Sequence, residues 1–90
     1  MSGIDGYRVV THEGKLVGHI AGESLMAFVV ESGTWPRKAR HALPQRYAAV
    51  NEDERSVLMQ VSKEMLEQSP KLKQGVPVDD EAVASWWGLD

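Results

Sequence analysis

Between residues 7 and 61 apolar positions recur at alternate places in short runs, and turn-forming residues break those runs every seven to ten positions. Residues 7–11 (YRVVT), 16–21 (LVGHIA), 25–30 (LMAFVV), 47–51 and 56–61 (SVLMQV) are predicted strands. The second half of 37–43 (RKARHAL) is a sixth, with Ala39, His41 and Leu43 on one face. Val57, Met59 and Val61 likewise share a face. Residues 25–30 are apolar on both faces, which predicts a central strand. Gly14 suits a tight turn needing positive φ. Gly18, inside a strand, marks a bulge or a close backbone crossing.

After residue 61 the period changes. Ser62 is a helix cap and Glu64 favours the helix N-terminus, so residues 63–68 are predicted helical, with Met65, Leu66 and Ser69 on one side and Pro70 as the stop. Residues 71–78, with Gly75 and Pro77, have no period and read as a flexible linker. Asp79, Asp80 and Glu81 open a second helix that Gly88 closes. The prediction is a mainly β fold: a small six-stranded β-barrel or rolled antiparallel sheet, one short helix after the last strand and a C-terminal helix. Residues 1–70 form the β domain, 71–78 the linker and 79–90 the helical tail.

Ninety residues make one thin-cored domain, with little volume to spare for an enclosed active site. A net charge of −3 argues against a general grip on nucleic acid or anionic membrane. With no cysteine, disulfides, thiolate metal sites and thiol catalysis are all excluded. The longest apolar run, residues 25–30, is far below the roughly 20 residues that cross a bilayer, and the first six residues carry no leader pattern. These features predict a soluble, cytoplasmic protein.

The ordered features EGKLVGHI (residues 13–20), AFVV (27–30), ESGTW (31–35) and ALPQRYAAVNEDERSVLMQVSKEMLEQSP (42–70) resemble the PRC-barrel family. That resemblance covers residues 6–70 and leaves the tail outside it. It implies a small β-barrel acting as a docking domain. Known members include the cytoplasmic domain of the photosynthetic reaction-centre H subunit, the C-terminal domain of a ribosome maturation factor, and short stand-alone proteins of bacteria and archaea. The family has no shared catalytic motif to transfer.

Candidate chemistry is sparse. His12, His19 and His41 lack the short spacing of metal ligands, so no metal or other cofactor is expected. No nucleophile turn or phosphate-binding glycine loop is present, and no catalytic residue is assigned. Trp35, Arg37, Lys38 and Arg40, with Arg46 nearby, place an aromatic beside cations. That is either an RNA-contacting surface or a barrel plug beside a solvated strand face. In the tail, Val83 and Trp87 share a helix face at i, i+4, while Trp86 projects about 100° away. Both rings either straddle a groove of their own barrel or cover a second molecule.

The expected function is a non-catalytic protein–protein interaction module, contacting another protein or a second copy through Trp35, Val83, Trp86 and Trp87. The alternative is an RNA- or ribosome-associated factor using Trp35, Arg37, Lys38, Arg40 and Arg46. A peripheral role in a membrane or photosynthetic complex rests on family analogy alone.

Overall fold

The structure, a computed structural model, describes residues 3–33 and 38–89. Trp35 and Arg37 therefore lie outside the described residues. Six strands form one sheet: β1 (Arg8–Val10), β2 (Leu16–Glu23), β3 (Ala27–Ser32), β4 (Ala39–Pro44), β5 (Ala48–Asn51) and β6 (Ser56–Met59). Two helices follow, α1 (Lys63–Gln68) and α2 (Asp80–Trp87). The spatial order is β4-β3-β2-β1-β6-β5.

That order explains the curvature. β4 and β5 are the two outer strands, yet only the 3₁₀ turn Gln45–Tyr47 separates them in the chain. Laid flat, six strands would hold them about 24 Å apart, whereas so short a link spans at most about 14 Å. The sheet must curl into a half-barrel. β1 to β4 form an antiparallel meander, and the chain then runs on into β5 without reversing. β6 turns back against β5 and so meets β1 in parallel, with Val9 opposite Val57. The rolled sheet is thus antiparallel in every pairing but this one.

Inward positions fill the core with Val9, Ile20, Val30, Leu43, Val57 and Met59. Alternation in β2 breaks because two residues are extra: Val17 bulges against β1 and Ala21 against β3. Val17 and Ile20, three apart, therefore both face inward. Residues 25–30 begin later than predicted. Leu25 is 93% exposed in the β2–β3 turn, where Ser24 and Gln45 bond across it, and the strand starts at Ala27. β3 is next to the edge, yet Ala27, Phe28, Val30 and Glu31 bury both of its faces.

α1 has the predicted bounds. Ser62 Oγ accepts from the Met65 N–H, and Leu66 is buried, while Met65 is exposed. Asp79 caps α2 through the N–H groups of Glu81 and Ala82. Gly88 ends it at φ 72°, and Gly14 turns at φ 81°, both left-handed conformations that glycine takes without strain.

Candidate functional site

An outer strand exposes a row of unpaired carbonyls, and β4 carries such a row. On this edge the Arg40 carbonyl accepts from the Leu72 N–H at 2.8 Å, and the Ala42 carbonyl accepts from the Trp87 indole N–H at 3.1 Å. Lys71 stands opposite His41 as a single bridge. The segment read as a linker therefore begins by pairing with the sheet, and α2 packs on its own domain. Trp87 is 7% exposed, its ring 5.8 Å from that of Tyr47.

Trp86 has a different environment. It is 39% exposed and stands edge-on to Trp87, ring centres 5.0 Å apart. Its indole N–H makes no hydrogen bond among the described residues. It rims a groove of about 80 Å³ walled by Ala42, Pro70, Leu72, Ala82 and Val83. Small-molecule sites usually occupy about 300–1,000 Å³; this groove has room for one side chain. Of the predicted contact residues, Val83, Trp86 and Trp87 meet here, Val83 and Trp87 as its buried floor and Trp86 as its accessible wall.

The basic segment is partly neutralised. Glu31, nearly buried, lies opposite Arg40 on β4 and His19 on β2. Its carboxylate takes a 2.8 Å bond from Arg40 Nε, with Lys38 Nζ at 3.5 Å and His19 Nε2 at 3.6 Å. The Arg40 bond, helped by Lys38, holds the Glu31 carboxyl below its ordinary range, and burial only partly opposes this. Arg46 is exposed in the 3₁₀ turn and belongs to a separate part of the surface.

The three histidines do not converge. His12 is exposed in the β1–β2 turn, His19 borders Glu31, and His41 is 2% exposed under α1. Among the described residues no group of three or more His, Cys, Asp or Glu side chains has metal-holding geometry. Nor is any helix among them long and apolar enough to cross a membrane.

His41 Nδ1 lies 2.9 Å from Ser69 Oγ, whose single proton goes to the Leu66 carbonyl at 2.5 Å, so Nδ1 is the donor. Burial holds the imidazole below its ordinary value of 6.5; Lys71 adds to this, while the Ser69 backbone and Glu67 oppose it. The folded form therefore binds its proton less readily than the unfolded chain. Stability is full above about pH 6.5 and declines as pH falls toward the depressed folded value, by up to about 1.4 kcal/mol per pH unit. Urea midpoints from pH 8 to 5 should show this slope, and His41→Gln should remove it. An equal slope in both proteins would refute the assignment.

Sequence reasoning missed Ala42, Pro70, Leu72 and Ala82 as walls of the groove. The alternation of Leu72 with Lys71 and Lys73 was an available sign of a strand-like edge. Glu31, an acid closing an apolar strand just before a basic one, was a second such sign. No protein-family model matches this chain, and neither does any curated protein.

Proposed function

We propose that the chain is a non-catalytic, PRC-barrel-like interaction module that binds another protein through the face formed by α2 and the edge of β4. The single observation that supports this is Trp86, a large aromatic left accessible beside an apolar groove of one-side-chain size. Half-exposed aromatics over a small pocket are the usual anchors of protein interfaces. The order of the family-like features, ending in a curled sheet with a helix across it, fits the same reading. Lys38 and Arg40 already pair with Glu31, which weakens the RNA alternative.

The test is photo-crosslinking in living cells, with p-benzoylphenylalanine at position 86 and, as control, at Glu54 in the distant β5–β6 turn. One discrete protein adduct is expected from position 86 and none from 54. Ala82→Glu, an exposed change on the groove wall, should abolish it without unfolding the domain. A nuclease-sensitive adduct would favour the RNA alternative, and equal labelling from both positions would refute the proposal.

A further inference from the structure

We infer that two copies of this chain pair through the outer edges of their β5 strands, antiparallel about a two-fold axis, in a contact separate from the α2 face. Of the two sheet edges, β4 is closed by Leu72 and by the Trp87 indole. The outer side of β5 is engaged only at its first residue, where the Ala48 N–H donates to the Gln45 carbonyl. An open hollow walled by Ala49, Val50, Asn51 and Leu58 runs along the rest. Proteins that stay single shield such an edge with proline, lysine, a bulge or a covering segment. Among the described residues, β5 has none of these.

The ladder shows which groups the edge offers. The Tyr47 carbonyl accepts from the Gln60 N–H, so Ala49 and Asn51 turn their main-chain groups toward β6. The Ala48 carbonyl and both main-chain groups of Val50 therefore point off the sheet. With Ala49 opposite Ala49 of the second copy, each Val50 N–H meets the Ala48 carbonyl across the axis, two equivalent bonds. Ala48 and Val50 lie on the core side with Met59 and Val57, so the 41% exposed Val50 packs on Ala48 of the second copy.

Charge selects a second copy as the occupant. β5 is itself uncharged, but Arg46 precedes it and Glu52 and Asp53 follow it, all three exposed. None of them has an ion-pair partner within 4 Å among the described residues. Antiparallel pairing about Ala49 sets Arg46 of each copy opposite Glu52 of the other, whereas parallel pairing would set like charges together. The plus-to-minus order is thus its own complement. Glu54 and Arg55 stand on the β6 side of the turn, where the Arg55 carbonyl accepts from the Arg8 N–H. They face away from the shared edge, and the crosslinking control at position 54 stays silent.

Sedimentation equilibrium of the full-length protein from about 10 µM to about 1 mM should show monomer in exchange with dimer, the weak association that a small contact gives. Val50→Pro deletes an N–H that no bond within the chain uses, so the circular dichroism should persist and the dimer be lost. Arg46→Glu should weaken the dimer about three- to tenfold through two symmetric pairs, and adding Glu52→Arg should restore it. Ala82→Glu, on the α2 face, should leave it unchanged. A protein that stays monomeric across this range, or a dimer that survives in folded Val50→Pro, overturns the proposal. A dimer lost on Ala82→Glu also overturns it, by moving self-association to the α2 face. If Val50→Pro unfolds the domain, the charge swap decides, and a swap that fails to restore the dimer overturns the proposal. The crosslink from position 86 tests the α2 face independently of every one of these results.

Discussion

Trp87→Ala is expected to cost about 3–5 kcal/mol of folding stability, the range for deleting a buried aromatic. Domains of this size are stable by only about 5–15 kcal/mol, so the change removes a large share. Three losses coincide at this residue. Its ring leaves a void against Val83 and Tyr47, the Ala42 carbonyl loses its donor, and α2 loses its anchor to the sheet. Trp87→Phe separates them: it keeps the ring contact and deletes the donor, so it should cost less, about 1–3 kcal/mol for the unpaired carbonyl together with some lost packing. Trp86→Ala, at a half-exposed position, should change the midpoint far less. Guanidinium unfolding of the three variants measures all of this. An unchanged midpoint for Trp87→Ala would mean that α2 is a detached tail.

The two tryptophans also show where the sequence stopped being informative. Adjacent helical residues must point about 100° apart, so one inward and one outward ring was legible. Which surface took the inward ring was not, because the acceptor, the Ala42 carbonyl, is a main-chain atom 45 residues away in sequence. Backbone acceptors carry no side-chain signature. The same reason hid the pairing of Leu72 with Arg40. Proline and glycine between residues 70 and 77 suggested a free connector, yet Leu72 still had an N–H to give to the edge of β4.

Local signals fared better. Ser62, Asp79 and Gly88 cap their helices through interactions within a few residues; Ser62 and Gly88 are legible as caps by type and position, and Asp79 as part of the acidic opening of α2. The strands were legible from alternation, but their ends shifted where a distant partner decided them. Leu25 and Met26 extend an apolar run, but they lie in the turn where Gln45 bonds to the Met26 carbonyl. The parallel contact of β1 with β6 follows from the non-reversing step between β4 and β5. No pattern in residues 45–47 announces that step.

Gly18→Ala is the second change expected to be severe, because the obstacle is main chain and not a side chain that can turn aside. A methyl group at this position would overlap the Glu31 carbonyl oxygen, with the Glu31 carbonyl carbon at 2.9 Å and Ser32 Cα at 3.1 Å. To admit it, β2 must move away from β3 where His19 faces Glu31 and Ile20 faces Val30. That movement loosens the core at Ile20 and the ion pairs of Glu31 together. Overpacking that side chains can absorb costs about 1–3 kcal/mol, so an overlap with backbone belongs at or above the top of that range. Gly22→Ala is the matched control, four residues along the same strand. Its new methyl would meet only the Val29 side chain, at an ordinary 3.9 Å. That variant should be near neutral, or more stable by about 0.4–1 kcal/mol through reduced freedom of the unfolded chain. Urea unfolding of both proteins gives the comparison directly. Equal midpoints for the two variants would show that β2 and β3 do not approach as closely at Gly18 as the sheet register requires.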